Sequence, residues 1–309
     1  MSVHDVDLGE LLAGGQREAW EVPERITSCF LDVDGTTLGR SPVATQNLCD
    51  VWSHLEAHGV LLGFATGRLP RGMRDLERQV GSTNFNVVHN GAAVTRRGAV
   101  VHAWPLPAVA SELIRWCLAR ELYLEVYSEE QMFASDDRDV ARVGWQEVSG
   151  PPDAFLGEVD LTSLTALKAT LNVFDTARLP QVLEAVRSVG LTAEVSTTPH
   201  MPGVPVVNVT AAGVDKGTAL AWVLEQNGRR AHETLVVGDG LNDLSMFALA
   251  GTAVAMAQAP AQVRDAAHWV APSQERDGVT AALTRLVQVG GRTLPPRPVG
   301  SAQVIEHGG

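Results

Sequence analysis

Short apolar runs alternate with stretches of helical spacing at both ends of this chain. Runs at 26–31 and 60–65 predict buried strands, and the segment 44–58, apolar at helical intervals, predicts a helix that Gly59 ends. A strand, a helix and a second strand in this order predict a parallel pair with a right-handed crossover. A further apolar run at 204–210 predicts that the chain returns to the same kind of sheet.

The rhythm changes from about residue 93, where a hairpin pattern at 94–101 precedes a longer mixed segment. This segment predicts helices at 107–120 and 179–189 and strands at 122–127, 132–134 and 164–174. Hairpins mixed with helices are typical of an α+β module, an antiparallel sheet covered by helices. We therefore predict two domains: a doubly wound α/β core from 24–92 and 204–289, and an inserted α+β cap from 93–203. Residues 1–23 are predicted to be a poorly structured leader and residues 290–309 a flexible tail.

Composition narrows the possible partners. A net charge of −12 argues against a basic surface that binds nucleic acid. No window approaches the roughly 18 consecutive apolar residues of a membrane span, and the N-terminus lacks the basic start of a secretory signal. Three cysteines without metal-like spacing indicate reduced thiols, so we expect a cytoplasmic protein with neither nucleic-acid nor membrane partners. The sequence does not indicate an oligomeric state.

Two carboxylates, Asp32 and Asp34, end the first strand, and Gly35 follows directly. Paired carboxylates repel each other and are costly to desolvate, so they require a cation or a shared proton. Gly35 marks a backbone turn that lets both side chains reach one site. The alternative is an ordinary solvated turn, since turns favour Asp and Gly.

Three more polar segments follow predicted strands. They are Thr66-Gly67-Arg68 after the second strand, Lys216 before a helix, and Gly238-Asp239-Gly240-Leu241-Asn242-Asp243 after a late strand. Taken singly, these are a strand–helix cap, a surface lysine and a polar turn. In an open parallel sheet, however, ligands bind beyond the carboxyl ends of the strands, so all four segments are predicted to converge. Oxygen-only ligands favour a hard cation such as Mg²⁺ over zinc.

The four segments, in this order, resemble the four motifs of the haloacid dehalogenase superfamily, in its Cof-type branch with a type IIB cap. The resemblance implies that Asp32 is a nucleophile forming an aspartyl-phosphate and Asp34 the general acid/base. It also implies that Thr66, Gly67, Lys216 and Asn242 bind phosphate. Asp32, Asp34 (through its backbone carbonyl), Asp239 and Asp243 would hold Mg²⁺. The implied activity is hydrolysis of a small phosphorylated metabolite, such as a sugar phosphate.

Two positions depart from the branch's usual pattern. Ala257-Gln258-Ala259 stands where Gly-Asn-Ala is usual, and Ser273-Gln274 stands where Ser-Asn is usual. Both lie outside the four motifs, so they weaken inferences about substrate and loop contacts rather than about the family.

Two alternatives to a phosphatase remain open at this point. A phosphomutase or phosphotransferase would use the same aspartyl-phosphate with an alcohol in place of water. A non-catalytic phosphate sensor could also use an Asp cluster and a lysine, although the large insert and the presence of Asp34 argue against it.

Overall fold

The computed structural model describes residues 25–138, 150–161, 163–196, 201, 203–286, 288–289 and 292–293. The predicted leader, 1–23, lies outside the described residues, as does most of the predicted tail. Within 290–309 only Arg292–Thr293 is described, and it pairs antiparallel with Gln288–Val289. No helix in the described ranges has the length and apolar character needed to cross a lipid bilayer.

The elements fall into three consecutive groups along the chain. The first comprises β1 Ser28–Leu31, α1 Gln46–Ala57, β2 Leu61–Phe64, α2 Arg74–Val80, β3 Phe85–Val88, β4 Ala93–Arg96 and β5 Ala99–Ala103. The second comprises α3 Ala110–Leu118, β6 Leu124–Tyr127, β7 Met132–Ala134, β8 Ala154–Phe155, β9 Lys168–Asn172, α4 Leu179–Ser188, β10 Thr192–Ser196 and β11 Val206–Thr210. The third comprises α5 Lys216–Gln226, β12 Thr234–Gly238, α6 Leu244–Leu249, β13 Thr252–Met256, α7 Ala261–Ala266, β14 Trp269–Ala271, α8 Gly278–Leu286, β15 Gln288–Val289 and β16 Arg292–Thr293.

A parallel five-stranded sheet, in the order β14-β13-β12-β1-β2, forms the core. Successive side chains along its strands enter two different apolar clusters. Leu31 lies in the cluster that contains Trp52 of α1, and Phe30 lies in the cluster that contains Leu220 of α5. Burial on both faces is typical of a parallel sheet whose crossovers are helices. The predicted doubly wound α/β core is therefore confirmed.

A six-stranded sheet, in the order β10-β11-β9-β6-β7-β8, forms the second layer, which we call the cap sheet. Its pairs are antiparallel except β7 with β8. One face is apolar and packs against α3 and α4. Leu171 and Val207 of the sheet lie in one apolar cluster with Leu113 of α3 and Val182 of α4. The α+β character predicted for the insert is confirmed, and it follows from strands whose side chains alternate between an apolar and a polar face.

One strand and one hairpin lie in a different sheet from the one expected. The run 204–210, assigned to the core, forms β11, and it pairs with β9 and β10 of the cap sheet. The hairpin β4–β5, assigned to the cap, instead continues from β3 in a three-stranded antiparallel sheet. An apolar run predicts a buried strand but carries no information about its partner, which explains both errors. The exact domain boundaries remain a prediction.

Candidate active site

The carboxyl ends of two neighbouring core strands bring the first and last acidic motifs together. Asp32 follows β1 and Asp239 follows β12, and these strands pair in parallel, with Leu31 opposite Val237. The Asp32 N–H donates to the Val237 carbonyl at 2.8 Å, which carries the pairing one residue beyond β1. Convergence of residues about 200 positions apart was predicted from the sheet type, and the geometry agrees.

Lys216 lies fully buried at the start of α5 and joins two of these acids. Its Nζ donates to Asp32 Oδ1 at 2.7 Å and to Asp243 Oδ1 at 2.6 Å. Asp215 caps the same helix by accepting from the Thr218 N–H at 2.7 Å. Gly217 lets the helix approach α6 closely, because a Cβ there would lie 2.5 Å from the Ser245 carbonyl oxygen. The helix start thus places an ammonium group between two buried carboxylates.

Three carboxylates form the centre of the site. Oxygen atoms of Asp32, Asp239 and Asp243 lie within 4.8 Å of one another. The second oxygen of Asp243 accepts 2.9 Å hydrogen bonds from the N–H groups of Asp239 and Gly240, which fixes its orientation. Thr36 Oγ1 donates to Asp239 Oδ1 at 3.0 Å. A compact, oriented set of hard oxygen donors fits Mg²⁺.

The charges of this centre are not balanced by protein groups. At their formal charges, the three carboxylates and the one ammonium sum to −2. Burial, together with Asp243, raises the pKa of Asp32 well above its ordinary value although Lys216 opposes the shift. Burial and Asp243 likewise raise the pKa of Asp239 to about 6. For Lys216, attraction to both carboxylates outweighs burial and raises its pKa. A divalent cation would relieve this repulsion, which is a second reason that the site fits one.

The Asp34 side chain does not belong to the three-carboxylate cluster. This side chain is 42% exposed and forms an ion pair with Arg68, whose Nε lies 2.9 Å from Asp34 Oδ2. Arg68 also donates from Nη1 to the Gly72 carbonyl at 3.2 Å, and its side chain is only 14% exposed. Arg68 belongs to the segment Thr66-Gly67-Arg68, but its pairing with Asp34 was not predicted. A two-pronged pairing of this kind fixes the plane of the carboxylate as well as its position.

Three of the predicted phosphate-binding residues, Thr66, Gly67 and Asn242, lie beside Asn90, which was not predicted as a site residue. Asn242 donates to Asn90 Oδ1 at 3.3 Å, and a Cβ on Gly67 would lie 2.7 Å from the same oxygen. The Thr66 hydroxyl is buried and accepts from the Arg68 N–H at 3.2 Å. The signal in the sequence was the Asn90-Gly91 turn, and the positive φ of Asn90, 54°, confirms a turn conformation there.

The polar face of the cap sheet is directed toward this centre. Its residues alternate with the apolar ones and include Glu125, Lys168, Thr170, Asn172, Glu194 and Asn208. Lys168 donates to the Gly67 carbonyl of the core at 2.9 Å. Burial raises the pKa of Glu194 to about 8, with Lys216 opposing and Asp215 adding to the shift. These residues were missed, although polar side chains inside apolar strands are a signal that could have found them.

Comparison with known proteins identifies the family. A model of the haloacid dehalogenase-like hydrolases matches residues 29–283. A 5-amino-6-(5-phospho-D-ribitylamino)uracil phosphatase of Bacillus subtilis is 25% identical over 257 residues, covering 83% of this chain and 94% of the relative.

Solved structures agree in fold. A haloacid dehalogenase-like hydrolase from B. subtilis aligns with a TM-score of 0.73 at 21% identity, covering 85% of this chain and all of that one. A sugar phosphatase of haloacid dehalogenase subclass IIB aligns with a TM-score of 0.71 at 21% identity, covering 83% and 97% of the two chains.

The chain therefore belongs to the haloacid dehalogenase-like hydrolases. Three predictions are confirmed: the Cof-type family, the fold with a type IIB cap, and the enzyme class. The enzyme class is a hydrolase, and phosphatases are among its relatives. The roles of individual site residues remain predictions, as does a cytoplasmic location.

Proposed function

We propose that this protein is a magnesium-dependent phosphatase that hydrolyses small phosphomonoesters through an aspartyl-phosphate on Asp32. One observation carries the proposal: Asp32, bound by the buried Lys216 at 2.7 Å, lies beside Asp239 and Asp243 at the carboxyl ends of parallel strands. The B. subtilis relative is named as a phosphatase of a phosphorylated ribitylamino compound, which supports the same class of reaction.

In the first half of the proposed reaction, a carboxylate oxygen of Asp32 attacks phosphorus. A bond between that oxygen and phosphorus forms while the bond between phosphorus and the ester oxygen breaks. Asp34 donates its proton to the departing alkoxide, so that an alcohol leaves. Lys216 stabilises charge on the attacking carboxylate. The bidentate pairing with Arg68 fits Asp34 once it has given up its proton and become a carboxylate.

In the second half, water hydrolyses the aspartyl-phosphate. Asp34, now ionised, accepts a proton from the water as its oxygen attacks phosphorus, and the bond to Asp32 breaks. Inorganic phosphate is released and both aspartates return to their starting state. Dividing one difficult displacement into two is the general benefit of a covalent intermediate.

The chain's own residues would hold the cation. Asp32, Asp239 and Asp243 supply carboxylate oxygens within 4.8 Å of one another, and Asp34 would contribute its backbone carbonyl. A bound Mg²⁺ supplies positive charge that offsets repulsion between the Asp32 carboxylate and the phosphate. Thr66, Gly67 and Asn242, grouped around Asn90, would hold the oxygens of the transferring group.

The first prediction concerns the metal. Activity toward an aryl phosphate is expected to disappear after exhaustive chelation and to return on adding Mg²⁺, because the carboxylate cluster has an excess of negative charge. The measurement is release of inorganic phosphate with no acceptor alcohol present. Full activity after chelation would contradict the metal mechanism, and product formation that requires an acceptor would indicate a phosphotransferase.

The leaving group is proposed to bind the polar face of the cap sheet. Aromatic rings line part of that face and include Tyr127 of β6, Phe155 of β8 and Phe174 just after β9. The rest of the face presents carboxyl, amide, hydroxyl and ammonium groups. Such groups hydrogen-bond to hydroxyls, which favours a sugar or polyol phosphate. The raised pKa of Glu194 means that its protonated, hydrogen-bond-donating form is available near neutral pH.

The second prediction tests this assignment with Glu194→Ala. Loss of one hydrogen bond is expected to change relative rates across a panel of sugar, nucleotide and cofactor phosphates by about three- to tenfold, with the Mg²⁺ requirement unchanged. Glu184→Ala is the matched control, because Glu184 lies on the exposed side of α4 in the same part of the chain. Identical relative rates in wild type and Glu194→Ala would show that this residue does not select the substrate.

A further inference from the structure

Gln258 occupies one of the two positions at which the sequence departs from its family's usual pattern. It follows β13, which pairs in parallel with β12, and so it lies next to Asp239, the first residue after β12. Its side chain reaches across to the turn that follows β1. The departure therefore lies beside the carboxylate cluster in space, although it lies outside all four motifs in sequence.

The amide of Gln258 is fully engaged by three different loops. Nε2 donates to the Gly35 carbonyl at 2.5 Å and lies 3.5 Å from Asp239 Oδ2. Oε1 accepts from the backbone N–H of Gln274 at 3.2 Å. The reversed amide would bring its oxygen against a carbonyl and a carboxylate, so these contacts define one orientation. Gln274 is the second departure, and it contacts Gln258 through its backbone N–H.

Asp239 is held on both of its oxygens. Oδ1 accepts from Thr36 Oγ1 at 3.0 Å, and Oδ2 lies beside the Gln258 amide. The carboxylate also lies directly against the turn, because a Cβ on Gly35 would come within 2.3 Å of Asp239 Oδ2, and Gly35 has a φ of 84°. Gln258 contacts both this turn and the carboxylate, so it restrains the one relative to the other.

We propose that Gln258 is a positioning residue that orients Asp239 for binding of the divalent cation. The inference rests on the proposed metal-dependent function and extends it to a side chain outside the motifs. Gln258 acts through Asp239 and the Gly35 carbonyl. Partners that orient metal ligands commonly change metal affinity by about 10- to 100-fold when removed. Because Gln258 is exposed, we expect the lower end of that range.

The test is direct binding of Mg²⁺ to the full-length protein by calorimetry after removal of bound metal. Gln258→Ala is expected to raise the Kd for Mg²⁺ by about tenfold. Gln274→Ala is the matched control, since it removes a side chain of equal size while keeping the backbone N–H that faces Gln258. Its Kd is expected to stay within about twofold of wild type, which is ordinary for a side chain that does not touch a ligand.

The second measurement separates the Mg²⁺ dependence of the rate from kcat. With Gln258→Ala, the Mg²⁺ concentration that gives half-maximal rate is expected to rise in step with the Kd, while kcat at saturating Mg²⁺ stays near wild type. Thermal unfolding confirms that both variants fold. Equal Kd values for wild type and Gln258→Ala would overturn the inference, as would an equal loss in Gln274→Ala. A wild-type protein that binds no Mg²⁺ would overturn the proposed metal-dependent function as well, so the two failures are distinguishable.

Discussion

Asp32→Asn is expected to lower phosphatase turnover by about 10⁴-fold or more, the scale on which loss of a catalytic nucleophile is usually felt. An amide cannot replace the carboxylate as nucleophile, so no acyl-phosphate should form. Lys216 keeps its second partner, Asp243 at 2.6 Å, and the variant is therefore expected to fold. The measurement is acid quenching after incubation with a radiolabelled substrate, followed by detection of protein-bound phosphate.

Asp34→Asn is the matched variant, because only one residue separates the two positions. It keeps the nucleophile but removes proton transfer, so both formation and hydrolysis of the intermediate are expected to slow. With an aryl phosphate, whose leaving group needs little protonation, labelled protein should accumulate. Undiminished trapping of phosphate on the Asp32→Asn protein would disprove the assignment of the nucleophile.

Lys216→Met is expected to destabilise the protein by about 3–5 kcal/mol, the cost of removing one partner from a buried ion pair. The substitution leaves two buried carboxylates, Asp32 and Asp243, without the ammonium that joins them. Activity is expected to fall by about 10²–10³-fold, because a charge that stabilises the transition state is lost. Urea unfolding measured without metal reports the stability, and aryl phosphate hydrolysis reports the activity.

Lys168→Met supplies the comparison, because Lys168 is also a buried lysine. Lys168 donates its hydrogen bond to a backbone carbonyl, that of Gly67. Removing the Lys168 ammonium therefore takes no partner from the carboxylates of the cluster. The loss of stability in Lys168→Met is expected to be smaller than that in Lys216→Met. Saturating Mg²⁺ should restore more stability to Lys216→Met than to wild type, since the cation replaces part of the missing charge. A Lys216→Met protein as stable as Lys168→Met would contradict the proposed balance of charges.

Much of the core site could be predicted because the signals for it lie within short stretches of the sequence. An apolar run followed by Asp32 or Asp239 identifies a strand end, and the rule for parallel sheets brings such ends together. Lys216 could be placed for the same reason, since it begins a helix that follows another polar turn. These inferences need the order of the elements and their periodicity, both of which the sequence contains.

The rest depended on contacts between segments that no local pattern specifies. The apolar period of 206–210 is equally compatible with either sheet, and β11 was assigned to the wrong one. Arg68 lies in a motif, but its pairing with Asp34 depends on how two loops face each other. Gln258 reaches Gly35 across a gap of 223 positions in sequence. Charge and hydrogen-bonding capacity can be seen in a sequence, whereas the partner that satisfies them cannot.

The hydrogen bond between Lys168 and the Gly67 carbonyl has a consequence for the coupling between ligand and cap position. Lys168 belongs to the cap sheet, yet its ammonium lies against a core loop predicted to bind phosphate. If the cap moves away, this positive charge leaves the loop with it. An anion in the site therefore binds the closed arrangement more tightly than the open one. By thermodynamic reciprocity, we expect a bound anion to favour the closed arrangement and release of phosphate to favour the open one.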